Sequence, residues 1–463
     1  VVVSFYVIVN IARIALHGQE SNIQIWLINL YYSPQNGHDV LKYAIITPNP
    51  ITTTRPCMTH TTTGLRANWR QFTLLVIINA FVGALLGVER SVLPLLAYRD
   101  FSITSTAVTL SFIISFGVVK AIANLYTGWA ADAFGRKRML IIGWIIGLPV
   151  PWLIMWAPSW GWVVVANVLL GVNQGLCWSA AVIMKIDLAG ARQRGLAMGL
   201  NEFAGYLAMS LASIGAGFLA TQFGARPWPF VVSAILVSLG LVISIIWVRD
   251  TRHFTAPAPD DHHPMPPWHV RFLHASWHQR TLASLNVAGH VNNLNDVIIW
   301  GLLPLRASQL GISLSTSASI GASYLAVWGI GQLLSGQLSD RIGRTPLITV
   351  GMLTQAAGIA LFGATTTPTN WSIAAICMGA GTAMVYPTLL AAIADAAPAA
   401  WRASTVGIYR FWRDAGYAVG ALIIGVLSDV HHTNSAVWLI ATLTALAGCY
   451  VAYVARRVTS LPA

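Results

Sequence analysis

The sequence predicts an all-α integral membrane protein whose twelve transmembrane helices form two pseudo-symmetric six-helix bundles. Three observations lead there: a composition too apolar for a wetted body, a dozen apolar runs of spanning length, and a repeat relating the two halves. Of the 463 residues, 56% are hydrophobic and 9% are charged, whereas soluble domains carry about 25% charged residues. Mean hydropathy is +0.65 and the mass is 49.8 kDa. The 27 basic and 15 acidic residues are too few to cover a body of that size. An ordinary cytosolic enzyme, a disordered chain and a disulfide scaffold are thereby excluded. At about 20 residues per span, the length holds roughly twelve spans.

The elements follow in order. Residues 1–57 stand apart, with nine isoleucines and three alanines in a chain otherwise rich in Ala and Gly. Their apolar start, VVVSFYVIVNIARIAL, contains Asn10 and Arg13 and is short for a span. It lacks the basic region and cleavage site of a signal peptide. Met58 opens an alternative start, MTHTTTGLRANWRQF, so 1–57 is expected to be an extension with no role in the fold. The N-terminal six-helix bundle is assigned to 58–248, with spans near 71–97, 105–129, 139–157, 160–184, 196–220 and 229–248. A polar cytoplasmic linker, 249–280, follows. The C-terminal bundle, 281–463, has spans near 281–304, 315–337, 346–364, 371–394, 404–427 and 435–455.

A net charge of +12 would point to nucleic acid if it were clustered on a soluble face. Here the basic residues stand singly or in threes between apolar runs, so no nucleic-acid partner is expected and the bilayer is. Basic residues mark cytoplasmic loops. With the first span starting inside, seventeen Lys and Arg residues fall on the inner side, Lys185 among them, and three on the outer: Arg99, Arg226 and Arg306. Both termini are therefore expected in the cytoplasm, in a cell membrane. Trp156, Trp160 and Trp162 bracket the outer turn PSWGW, at headgroup level. Cys177, Cys377 and Cys449 lie inside apolar runs and Cys57 stands alone, so neither a disulfide framework nor a metal site is expected.

The halves match at an offset of 208 residues. Gly128, Asp132, Gly135 and Arg136 fall on Gly336, Asp340, Gly343 and Arg344, then Asp187 on Asp395, Arg194 on Arg402 and Gly199 on Gly407. Positions 128–203 hold nine charged residues and their partners hold six. Chance superposes 9 × 6 / 76, about 0.7, on a charge-poor sequence; five superpose, including Glu202 on Arg410. Two repeated halves sharing a midplane site is a transporter architecture.

The repeated loop reads GWAADAFGRKR at 128–138 and GQLSDRIGR at 336–344. It resembles the G-x-x-x-D-x-x-G-R signature, followed by Lys or Arg, of the major facilitator superfamily (MFS). Both copies sit where that family places them, between spans 2 and 3 and spans 8 and 9. The second departs at its end, where Thr345 replaces the basic residue. In layout the resemblance covers residues 70–457, and it implies the MFS fold. It also implies that Gly128, Asp132, Gly135, Arg136, Gly336, Asp340, Gly343 and Arg344 form loops that govern conformational exchange without binding substrate. A purely topological role for these loop charges is the competing reading. Span 5, YLAMSLASIGAGFLA, lacks the Gly-Pro pair of many proton-coupled drug exporters in the family, and ANVLLGVNQG in span 4 offers Asn167 where that group has Arg. The sugar-porter signature after span 6 is absent from VRDTRHFT, so no subfamily is assigned.

Eight ionisable residues fall within spans: Glu89, Glu202, Asp296 and Asp414, with Arg90, Lys120, Arg410 and Arg413. Each costs a few kcal/mol facing lipid, so they are expected in a polar interior. Lys120 precedes Asp132 by 12 residues, about 18 Å of helix, and Asp414 follows Arg402 by the same spacing, which puts both near mid-bilayer. Arg410, Arg413 and Asp414 share one face of span 11 with Tyr417, Asn292 stacks on Asp296, and Lys120 on Asn124. Glu89 and Arg90 diverge by about 100° and are expected to serve different partners. The predicted pathway is thus Glu89, Arg90, Lys120, Asn124, Glu202, Asn292, Asp296, Arg410, Arg413 and Asp414. Glu202 and Asp414 are expected to pair with the arginines of span 11, unless the charges form static ion pairs only. By the family's cavity pattern, Asn173, Gln174, Trp178, Tyr324, Gln332 and Tyr386 join them, with helix packing as the competing reading for the aromatics.

The expected function is secondary active transport of a small solute by alternating access, coupled to protons through Asp296 and Glu89. An uncoupled facilitator, or a non-transporting receptor on the permease fold, are the alternatives. No phosphate loop, metal-ligand set or Ser/His/Asp constellation stands out, so neither an enzyme nor a cofactor is expected. The histidines of the linker, among them His262, His263, His269 and His274, have no fixed ligand spacing and read as part of a solvated, Pro-stiffened connector. Four acids against four bases leave the charge of the solute open. The expected partners are that solute, a proton and lipid, with the chain acting as a monomer.

Overall fold

The computed structural model describes residues 64–189, 194–251, 254, 266–398 and 401–459. The extension 1–57 lies outside them. The described residues form helices and turns, with no strand among them. In chain order the long helical segments are α1 (Trp69–Phe101), α2 (Thr106–Phe134), α3 (Arg136–Met155), α4 (Trp160–Ala189), α5 (Arg194–Phe223) and α6 (Trp228–Ile246). Then come α7 (Arg280–Val297, continued through a π turn, Ile298–Leu302, into Leu303–Gln309), α8 (Leu314–Ile342), α9 (Arg344–Ala364), α10 (Pro368–Ala396), α11 (Arg402–Val430) and α12 (Thr433–Thr459). Among the described residues, nine helices are long and apolar enough to cross a membrane. The others are α7, α8 and α11, and two of these carry the polar runs Asn292–Asp296 and Arg410–Asp414.

The repeat extends to the helix ends. Ser105 caps α2 by accepting from the Val108 amide, and Ser313, 208 residues on, caps α8 by accepting from Thr316. Gly135 and Gly343 end α2 and α8 at φ of +99° and +93°, where a Cβ would be strained. Packing repeats as well: α1 on α5 is matched by α7 on α11, α2 on α4 by α8 on α10, and α3 on α4 by α9 on α10. In lipid, small residues let helices approach closely. A Cβ at Gly83 of α1 would lie 2.1 Å from the Gly205 carbonyl oxygen of α5, and one at Gly416 of α11 would lie 2.1 Å from that of His290 in α7. The two sets of six helices meet mainly along α2–α11 and α5–α8. Leu211, Ile246 and Leu334 are among the large apolar side chains exposed on the periphery.

Three expectations need correction. Trp156 and Trp162 are exposed, but Trp160 is buried, its indole N–H donating to the Val108 carbonyl at 2.9 Å. Lys185 is no loop charge. It is buried within α4 and donates to the Leu75 carbonyl of α1 at 3.1 Å. The linker is not solvated throughout: Trp268–Leu273 is helical and runs through a π turn into α7, Trp412 of α11 donates to Ser276 at 2.9 Å, and Gln279 donates to the Ala396 carbonyl. Tryptophans at 268, 277, 401 and 412 supply the apolar surface that makes this docking favourable.

Candidate functional site

A small cavity lies between the two sets of six helices. Its wall includes Leu86 of α1, Lys120 and Asn124 of α2, Trp178 and Ser179 of α4, and Tyr206 and Met209 of α5. Trp300 of α7, Tyr386 of α10, and Arg410, Arg413 and Tyr417 of α11 complete it. Of the face predicted from helical spacing, Arg410, Arg413 and Tyr417 line the cavity, whereas Asp414 does not.

Asp414 is the hub beneath that wall. It is fully buried and accepts from Asn124 of α2, from Asn293 of α7 at 3.1 Å, and from Arg413 at 2.8 Å. Arg413 also donates to the Tyr386 hydroxyl at 2.8 Å. The carboxylate therefore ties both sets of helices through charge-assisted bonds, the strong class of hydrogen bond. Asn124 in turn accepts from Ser179, whose hydroxyl also accepts from Arg410 at 3.4 Å. Lys120 rests on the faces of Phe116 and Tyr417, its ammonium 5.5 and 5.2 Å from their ring centres. Among the described residues neither Lys120 nor Arg410 makes an ion pair.

The other acids lie behind the wall. Glu202 accepts from Trp178 at 3.2 Å and from Asn201 at 2.7 Å, so it does not bond the arginines of α11 as expected, although Asp414 does. Asp296 accepts from the Tyr324 hydroxyl, which also meets Thr382, and Tyr417 lies beside it. Glu89 and Arg90 do not serve separate partners. Both meet Asn167 of α4, and the Arg90 guanidinium lies 4.4 Å from the Phe116 ring centre and 5.6 Å from that of Trp300. Asn167 thus occupies the place where the exporter pattern has an arginine, and accepts a bond from one.

Several predicted cavity residues are clamps between helices instead. Asn292 and Asn295 of α7 grip the two ends of the Gln355 amide of α9, and Asn295 also accepts from Thr444 of α12. Asn173 donates to Gly143 of α3, and Gln174 donates to Val82 of α1, each at 2.8 Å. Gln332 and Tyr324 are buried away from the cavity wall, while Trp178 and Tyr386 line it. Residues that sequence reasoning missed are Ser179, Tyr206, Met209 and Trp300. Trp178 adjoins Ser179 in a run otherwise small and apolar, which was a usable signal; the others stood in ordinary apolar runs.

The repeated loops each place their Arg on the Asp that ends the fourth helix of its set. Arg136 bonds Asp187 at 2.7 Å, and Thr251 donates to the same carboxylate at 2.6 Å. Arg344 bonds Asp395 at 3.2 Å and Asp340 at 2.6 Å. The side chains of Gly128 and Asp132 lie outside the described residues. Packing between the two sets is tight at the end opposite these loops. Asp429 of α11 accepts from Thr106 at 2.6 Å and Ala107 at 3.1 Å and from the Ser105 hydroxyl, all at the start of α2. A Cβ at Gly217 of α5 would lie 2.4 Å from Ala318 of α8. At the motif-loop end, a Cβ at Gly336 or Gly407 would meet nothing within 4 Å. Among the described residues no cluster of His, Cys, Asp and Glu is placed to hold a metal.

The sequence profile described as Major Facilitator Superfamily matches residues 73–284 and 285–462. Multidrug resistance protein MdtG of Salmonella choleraesuis is 24% identical over 372 residues, 78% of this chain and 89% of the relative. An uncharacterized MFS-type transporter of Salmonella typhimurium is 22% identical over 390 residues, 80% and 93% of the two chains. A crystal structure of the nucleoside transporter NupG superposes with a TM-score of 0.68 at 12% identity, covering 83% of this chain and 99% of that one. A POT family transporter in complex with 5-aminolevulinic acid gives 0.69 at 11% identity, covering 84% and 97%. At those identities the likeness to the solved structures is one of fold.

Proposed function

Because the chain belongs to the major facilitator superfamily, and is therefore a membrane transporter and not an enzyme, we propose that it carries a small solute through the central cavity by alternating access with proton coupling. One observation carries this reading: a cavity between two six-helix sets, walled by ionisable side chains and bounded by the α2–α11 and α5–α8 contacts. Such charges are costly in lipid and mark a solute or ion path. Close contact between the sets at the end opposite the motif loops, at Asp429 and Gly217, is expected of one stage in a rocking cycle. Residues 58–248 and 281–463 are the rocking bundles, joined by 249–280. The excess of basic loop residues puts the motif-loop end and both termini in the cytoplasm. All twelve helical segments cross the membrane in this reading, and a single chain suffices because one chain builds the cavity.

The loop pairs Arg136–Asp187 and Arg344–Asp395, with Asp132 and Asp340, act as the gate that re-forms in each cycle. Asp296 and Glu89 carry the proton, Asp296 through Tyr417, which separates it from the cavity. The name of the MdtG relatives favours efflux of organic compounds as the direction. The test is transport in proteoliposomes with a pH-sensitive dye inside. Solute addition should move protons, and Asp296→Asn should abolish that movement while solute exchange persists. Full proton-driven transport by Asp296→Asn refutes the coupling role, solute movement without protons selects an uncoupled facilitator, and binding without movement selects a receptor.

A further inference from the structure

We propose that the central cavity takes an organic anion with a flat apolar body, an aromatic carboxylate in its simplest form, held by Lys120 and Arg410. This rests on the transport reading above and adds the chemical class of the solute. The sequence alone leaves that class open, because acids and bases within the spans are equal in number. The side chains that face the empty space are not equal. Among the described residues Lys120, Arg410 and Arg413 line the cavity, and no acid does.

Each acid is withdrawn and held by protein donors. Asp414 is neutralised by Arg413 and by two asparagine amides. Glu202 is turned to Trp178 and Asn201. That leaves Lys120 and Arg410 as the wall cations that, among the described residues, make no ion pair. The nearest partners of Lys120 are aromatic faces, which attract a cation without cancelling its charge. Among the described residues Arg410 donates only to Ser179, at 3.4 Å, and its buried Nε has no hydrogen-bond partner. A guanidinium with free donors is the side chain best shaped for a carboxylate. The rest of the wall is largely aromatic, with Trp178, Tyr206, Trp300, Tyr386 and Tyr417, and includes the polar side chains of Asn124 and Ser179. A cationic guest would meet Lys120 and Arg410 and, among the described residues, no acid at the wall.

The experiment uses the purified full chain in detergent. The probes are benzoate and 2-naphthoate, their neutral amides, and tetraphenylphosphonium. The readouts are ligand-induced shift in melting temperature and tryptophan quenching. The carboxylates alone should give saturable shifts. Arg410→Gln and Lys120→Gln should each weaken that binding about tenfold to a hundredfold, the value of a hydrogen bond to a charged group, with the ligand-free melting temperature kept. Equal effects of amide and carboxylate, stabilisation by the phosphonium, or no shift with millimolar carboxylates each overturns the proposal. The wild-type comparison of acid with amide needs no variant, so it decides even if either variant fails to fold. In proteoliposomes the two readings separate. A carboxylate bound but never moved overturns transport and leaves the anion site standing, whereas movement of the phosphonium alone overturns the anion site and leaves transport standing.

Discussion

Asp187→Asn should destabilise the protein far more than Asp395→Asn, although the repeat places the two residues identically. Asp187 and Arg136 are 6% and 7% exposed on the side-chain scale on which Asp395 and Arg344 are 61% and 29% exposed. Asparagine keeps the shape of Asp187 and an acceptor for Thr251, but removes one carboxylate charge from beside the buried Arg136 guanidinium. Removing one member of a buried pair costs about 3–5 kcal/mol. Arg136 has further interactions, so the lower end of that range is expected. At Asp395 the pair is wet and Arg344 keeps Asp340 at 2.6 Å, so the loss should be about 0.2–1 kcal/mol. A gap of about 2 kcal/mol is roughly a thirtyfold difference in the folding equilibrium. Unfolding in mixed micelles at rising SDS fraction, followed by circular dichroism, measures it. Losses equal to within about 0.5 kcal/mol for the two variants would refute the burial argument.

Gly83→Ala should lower the melting temperature, because its methyl would sit 2.1 Å from the Gly205 carbonyl oxygen and overpacking costs about 1–3 kcal/mol; Gly215→Ala, with nothing within 4 Å, should be neutral or stabilising by about 0.4–1 kcal/mol. Thermal denaturation of both variants in detergent checks the pair. For Asp429, outside the apolar part of α11, slight burial raises the carboxyl pKa but hydrogen bonds from Ser105, Thr106 and Ala107 outweigh it and hold the group below the usual carboxylate range. A carboxyl depressed in the folded state stabilises above its unfolded pKa of about 3.9 and loses that contribution as pH falls through the folded value. Wild type should therefore be more stable than Asp429→Asn at neutral pH, and the difference should shrink as pH drops below about 4. A melting-temperature difference constant from pH 7 to pH 3 would contradict this.

The helices were legible to within a few residues. The expected spans 160–184 and 346–364 lie inside α4 and α9 or coincide with them. Legibility was high because a spanning run is set by its own length and apolarity. It failed where a single charge stood at the edge of a run. Lys185 reads as loop by composition, yet α4 continues past it and α1 offers a carbonyl. It failed also where polar amides were read as cavity lining, since Asn173, Gln174 and Asn292 spend their hydrogen bonds on neighbouring helices.

By itself the sequence determined the membrane class, the twofold repeat, the paired loops and the set of ionisable groups that lipid could not tolerate, because each depends on local apolarity or on a fixed spacing along the chain. Helical spacing likewise put Arg410, Arg413, Asp414 and Tyr417 on one face. Only the tertiary structure decided what that face meets. The packing of neighbouring helices covered Asp414 and Glu202 with protein donors and left Lys120 and Arg410 facing open space. The sign of charge at the cavity wall is thus a property of packing between residues as far apart as Asn124 and Asp414, which spacing along one helix cannot supply.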